Sequence, residues 1–153
     1  MVRTILGVVL GYVIMAAMVF GGLTAAYLTL GTERVFAPGA YEVTALWLAT
    51  NLTISALAAF VGCLAAGAIA RRSNAAVVLG VIMLVLGLAV AVGQVAAPKP
   101  NPGPRDGAVA NLDAMMKARQ PTWYMFTLPV IGIGAAFAAA AVLRKRCLLY
   151  TSD

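Results

Sequence analysis

The chain contains no histidine, and charged residues make up only 10% of its 153 residues. A soluble domain carries about 25% charged residues. The missing histidine excludes imidazole acid–base chemistry and histidine-ligated metals. Of the two cysteines, Cys63 lies inside an apolar run and reads as a small packing residue, while Cys147 lies near the end of the chain. They form no CxxC pair and no metal-ligand spacing. We therefore expect neither cofactor nor metal, and no enzymatic activity.

What fills the chain instead is apolar. Hydrophobic residues reach 63%, and the mean hydropathy is +0.96. Four stretches hold no charge at all: Thr4–Thr32, Val43–Ala70, Ser73–Pro98 and Gln120–Leu143. Each exceeds the ~20 residues that cross ~30 Å of hydrocarbon as a helix. Backbone groups in lipid must bond within their own segment, so these runs predict helices rather than barrel strands. The expected fold is an all-α, single-domain bundle of four transmembrane helices over about 4–31, 42–70, 73–97 and 121–144. The first run continues to Leu30. That is well past the 7–15-residue core of a signal peptide, so a retained helix is predicted.

The net charge of +6 does not point to nucleic acid. The bases sit at helix ends, where they act as topology signals and lipid head-group contacts. Arg3, the Arg71–Arg72 pair and Arg144–Arg146 share one side, with no acid beside them. The other side mixes Arg34, Lys99, Arg105, Lys117 and Arg119 with Glu33, Glu42, Asp106 and Asp113. The clustered side is expected to be cytoplasmic, with both termini on it. The very short link at Arg71–Asn74 makes the second and third helices antiparallel neighbours.

On the other side, the connection Gly31–Glu42 holds the turn signal Pro38–Gly39. The connection 98–120 opens with Pro98, Pro100, Pro102 and Pro104, a spacing that favours an extended polyproline-like stretch. It continues into helix formers over 108–119, with Leu112, Met115, Met116 and Arg119 at helical spacing, as for a short interfacial helix. Tyr41, Trp47, Trp123 and Tyr124 open the second and fourth helices and are expected at the head-group level.

Within the spans the chemistry is mild. No Asp, Glu, Lys or Arg interrupts them. Intramembrane ionisable groups usually mark proton relays and ion paths, so their absence argues against a proton-coupled pump. The polar candidates are Asn51, Thr53 and Ser55 in the second helix, Tyr12, Thr24 and Tyr27 in the first, and Gln94 in the third. Asn51 and Ser55 are four apart and share a face. Interhelical hydrogen bonding is their ordinary use, and a substrate contact the alternative. Gly7 with Gly11, and Gly62 with Ala66, have the small-xxx-small spacing that lets helices approach closely, and Gly132 lies in a smooth fourth helix. Pro129 is expected to kink that helix, and with the glycines beyond it marks a candidate hinge.

The layout resembles the small four-helix membrane proteins of bacteria. The resemblance rests on span count, short loops and the Trp–Tyr opening of the fourth helix, and it assigns no functional residue. It implies a multi-pass protein of the bacterial cytoplasmic membrane. The segment 147–153, Cys-Leu-Leu-Tyr-Thr-Ser-Asp, resembles the translation of a transposon-based sequencing adapter, so a native chain is expected only to about Arg146. The expected partners are the lipid bilayer and either further copies of the chain or a larger membrane protein. Two functions compete: an accessory subunit that associates through its small-residue faces, and an oligomeric transporter that uses the Asn51/Ser55 face.

Overall fold

The computed structural model describes residues 2–97, 103–105 and 107–149, without the side chains of 115 and 146–149. Most of the proline-rich stretch, and residues 150–153 of the tail, lie outside the described residues. The chain forms α1 (Val2–Leu30), α2 (Thr32–Val35), α3 (Ala45–Ala70), α4 (Ser73–Ala96), α5 (Asn111–Lys117) and α6 (Thr122–Leu149). Four of these are long and apolar enough to cross a membrane: α1, α3, α4 and the stretch Thr122–Lys145 of α6. The fold is an all-α four-helix bundle. α6 continues unbroken through Pro129 and past Arg146 to Leu149.

The helices alternate in direction. α1 lies antiparallel on α3, pairing Gly7 with Ala66, Gly11 with Gly62 and Gly22 with Ile54. α4 lies antiparallel on α6, pairing Gly80 with Ala136 and Gly87 with Pro129. α3 is the central element and touches all three of the others. The end of the bundle bearing Arg3, Arg71–Arg72 and Arg144 is called here the basic end, and the opposite one the capped end.

Side-chain size, rather than polarity, sorts the inner face from the outer one. The buried positions of α3 include Ala58, Ala59, Gly62, Cys63, Ala66, Gly67 and Ala70, whereas Leu46, Leu57 and Val61 are exposed. α1 buries only Gly7, Gly11 and Tyr27 and turns Ile5, Val9, Val13 and Phe20 outward. Lipid solvates a leucine as well as a protein core does. The gain comes from close backbone approach, which small residues permit. At Gly11 an added Cβ would stand 2.6 Å from the Gly62 carbonyl oxygen, and at Gly7 2.6 Å from that of Ala66. Gly7, Gly11, Gly62 and Ala66 are therefore used within one chain, in the α1–α3 seam.

Local chemistry sets the helix ends. Thr44 caps α3 by accepting from the Trp47 N–H at 3.3 Å. At the other end Arg71 takes a left-handed conformation (φ 53°). The Arg72 N–H then reaches the Gly67 carbonyl at 3.1 Å and the Arg71 N–H that of Ala68 at 3.2 Å. This crossed pair closes the last turn and reverses the chain into α4 within two residues.

The capped end is a knitted layer. Pro38 and Gly39 (φ 68°) occupy the centre of a β-turn closed by Ala40 N–H to Ala37 C=O at 3.1 Å. Its arms pair Phe36 with Val43, and Glu42 pairs in turn with Arg119. Tyr27, Val35, Phe36, Tyr41, Trp47 and Ala114 bury one another beneath this layer. The Tyr27 and Trp47 rings meet edge-on at 6.2 Å. Tyr41, Trp47 and Tyr124 are buried, at 7%, 6% and 0% exposure, and Trp123 alone of the four is exposed. Protein therefore covers three of the four rings that open α3 and α6.

Candidate functional site

Among the described residues, two of the cavities lie in the capped half of the bundle, and neither of these reaches the basic end. Between them and that end, Cys63, Ala66, Ala76, Leu79, Ala136, Ala139 and Ala140 form a core at 0–3% exposure. It is closed because small residues bring the backbones together: Gly80 faces Ala136, Gly67 faces Leu143, and Gly11 faces Gly62 and Leu79. Nothing in this plug can hydrogen-bond to water except the weakly polar thiol of Cys63.

The smaller cavity, about 130 Å³, sits beneath the cap and is lined by Leu23, Tyr27, Trp47, Asn51, Asn111 and Gln120, among others. Asn51 is 8% exposed and accepts a hydrogen bond from the Ser55 hydroxyl at 3.1 Å. The Asn51/Ser55 face therefore points into the chain's own bundle and not toward an axis between copies. This corrects the geometry that an oligomeric pore would require. Thr53 points elsewhere: it donates to the Ala49 carbonyl at 2.8 Å from an exposed position. Thr24 accepts from the Asn111 amide at 3.3 Å, tying α1 to α5.

The larger cavity, about 390 Å³, is a slot lined by α1 (Tyr12, Met15, Val19), α3 (Ser55, Ala59), α4 (Met83 to Gln94) and α6 (Met125 to Gly132), with Gln120 at its capped end. Tyr12 lines this cavity and Asn51 the smaller one. Tyr12, Leu86 and Val90 are 48%, 54% and 57% exposed, so the slot's rim lies open between α1 and α4. The slot exists because α1 packs chiefly on α3 and α4 chiefly on α6. α1 and α4 approach near Gly11 and Leu79 and leave the space between them unfilled toward the cap. Pro129 faces Gly87, where a Cβ would stand 2.6 Å from the proline Cγ. The ring therefore acts as a fitted wedge between α4 and α6.

No protein-family model, curated protein or solved structure matches this chain.

The cap's electrostatics centre on Arg105. Its guanidinium is covered, with 2% of the side chain exposed. It grips both Glu33 carboxylate oxygens, at 2.9 and 3.2 Å, and donates to the Gly107 carbonyl at 2.9 Å. The Arg105 backbone N–H bonds the Gly39 carbonyl at 3.0 Å. One residue thus holds both Glu33 and Gly39 of the first connection. Hydrogen bonding and charge from Arg105 hold the Glu33 carboxyl below its usual pKa. Lys117 pairs with Asp113 at 3.0 Å and lies 5.5 Å over the Tyr41 ring. Among the described residues, Arg105 Nε and the Tyr124 hydroxyl are buried without a hydrogen-bond partner.

The sequence assigned no site role to Gln120, Arg105, Asn111 or Tyr124. Gln120 lines both cavities, and its position at the start of an uncharged run, beside Pro121, was the signal to be read. Arg105 carried none, because its role depends on Glu33, 72 residues away.

Proposed function

We propose that this chain is a non-catalytic accessory subunit of the bacterial cytoplasmic membrane, with both termini in the cytoplasm, built to sit in lipid beside a larger membrane protein. The observation that carries this reading is the dry plug between the cavities and the basic end. A solute crossing the bundle would have to pass Leu79, Ala136 and Ala139, all at 0% exposure. That path offers no hydrogen bond to replace lost hydration, and each uncompensated polar group would cost several kcal/mol.

Two further features support it. No carboxylate, amine or guanidinium lines either cavity, and the titratable side chains there are the weakly acidic phenols of Tyr12 and Tyr27. The small-residue seam is already occupied within the chain. A partner would therefore meet the bulky outer faces, chiefly α1, where Ile5, Val9, Val13 and Phe20 are exposed.

The test is purification of the tagged chain from its native membrane in polymer-bounded lipid discs. A second protein at fixed stoichiometry is expected. Reconstituted alone in vesicles, the chain should pass ions and small polar solutes no faster than empty vesicles do. Flux that Asn51→Leu abolishes would refute the accessory reading in favour of transport.

A further inference from the structure

The slot between α1 and α4 is unlike the other lipid-facing surfaces of the chain. It is concave, and its volume of about 390 Å³ falls in the ~300–1,000 Å³ range of small-molecule sites. It is also long for that volume. The lining of α4 alone runs from Met83 to Gln94, about 16 Å at 1.5 Å per residue. Such a slot fits one alkyl chain better than a paired or fused-ring tail.

Its polarity is graded along that length. Gln94 and Gln120 stand at the capped end, with Ser55 on the α3 wall. Below them the walls are Met15, Ala59, Met83, Leu128 and Gly132. Three of the lining residues, Met15, Met83 and Met125, are unbranched thioethers that adapt to irregular apolar shapes. Gly132 stands where a Cβ would find only Met83 Cε, at 3.8 Å, so the far end is roomy. Pro129 adds a second feature. It offers no N–H to the Met125 carbonyl four residues back, and Met125 lines the slot. In lipid such a carbonyl needs another donor.

We propose that the slot binds a neutral single-chain lipid whose head carries hydroxyl or ester groups, of the monoacylglycerol kind. It enters sideways from the bilayer, past Tyr12 and Val90. The amides of Gln94 and Gln120 donate to and accept from the head, and the tail lies along Met83 and Leu128 toward Gly132. No charged side chain lines the slot, so an ionised head would lose hydration without gaining a counter-charge. The preference is therefore for a neutral head over a carboxylate. Binding of this kind requires no partner subunit and is separable from the accessory role.

The experiment uses the full chain alone, in phosphatidylcholine vesicles, with a monoacylglycerol bearing a photoactivatable diazirine at the tail end. Labelling is expected on the segment around Met83 and Gly132. Excess monopalmitoylglycerol should compete it away and palmitate should not. Gly132→Leu fills the roomy end and should cut labelling at least ten-fold. Gln94→Leu, at an exposed position where misfolding is not a concern, should weaken competition by the glycerol lipid several-fold while the helical circular dichroism stays unchanged. Uniform labelling of outward residues such as Val130 and Phe137 without competition would mean ordinary boundary lipid and would overturn the proposal. Equal competition by palmitate, or wild-type labelling of both variants, would overturn it too. So would a dimer whose second copy fills the groove and leaves the probe unbound.

Discussion

Replacing Gly11 by alanine adds one methyl group at the tightest point of the α1–α3 seam. The new Cβ would stand 2.6 Å from the Gly62 carbonyl oxygen, 2.7 Å from Ala66 Cβ and 3.1 Å from Leu79 Cδ2. The first of these is backbone and cannot swing aside, so the helices must part by most of an ångström. A gap of that size forfeits roughly a quarter to a half of each dispersion contact along the seam. α1 has little else to hold it, since Gly7 and Tyr27 are the other buried residues among those described in this helix. Overpacking of this kind costs about 1–3 kcal/mol, against at most ~1 kcal/mol regained from alanine's better helix propensity. We expect Gly11→Ala to lose about 1–2 kcal/mol by the same overpacking, measured by steric trapping in bicelles. Gly21→Ala is the control, because nothing lies within 4 Å of its Cβ; it should be neutral or slightly stabilising. The double variant Gly11→Ala/Gly62→Ala should cost less than the sum of its parts, because helices already forced apart accommodate the second methyl. If Gly11→Ala and Gly21→Ala agreed within about 0.3 kcal/mol, the additivity noise for independent sites, the close-approach account of this seam would be wrong.

Three further outcomes follow from the geometry. Tyr124→Phe removes a buried hydroxyl that has no partner among the described residues; by the usual penalty for such a group it should stabilise the fold by up to about 1–3 kcal/mol in the same assay, and a loss would reveal a bond to water or lipid. The Glu33 carboxyl is held below its ordinary pKa by Arg105. Its contribution to the cap is therefore full above the ordinary glutamate range and fades as the pH falls through the lowered value. Proteolysis within 103–120 should accelerate on acidification in the wild type; a Glu33→Gln chain should be cut readily at every pH, and an unchanged pH profile in Glu33→Gln would count against the ion pair. Cys63 is 0% exposed, so in a Cys147→Ser background a membrane-permeant maleimide should label the folded chain negligibly and the SDS-unfolded chain fully.

The spans and their order are legible in the sequence because lipid imposes a requirement that needs no tertiary information. Every uncharged run of sufficient length must close its own hydrogen bonds, and a helix does so alone. The turn at Pro38–Gly39 was legible from its turn residues, and a short helix within 108–119, found at Asn111–Lys117, from its helix formers. The cap was not. Arg105 on Glu33, Asn111 on Thr24, and Glu42 beside Arg119 join residues far apart in the chain, and nothing local marks them. The protein cover over Tyr41 and Trp47 was not legible either, because an aromatic at a helix start reads the same under lipid heads or under a protein lid.

Hydrophobicity alone determined that four helices are long and apolar enough to cross a membrane, and roughly where each begins and ends. Only the packed bundle decided which face of each helix turns inward. All four spans are apolar on every side, so no stripe distinguishes core from lipid, and the choice falls to shape: glycine and alanine go where backbones touch, and valine and leucine go where lipid can follow their outline. The slot between α1 and α4 has the same origin. It is the space left when α1 commits to α3 and α4 to α6, and no single helix carries it.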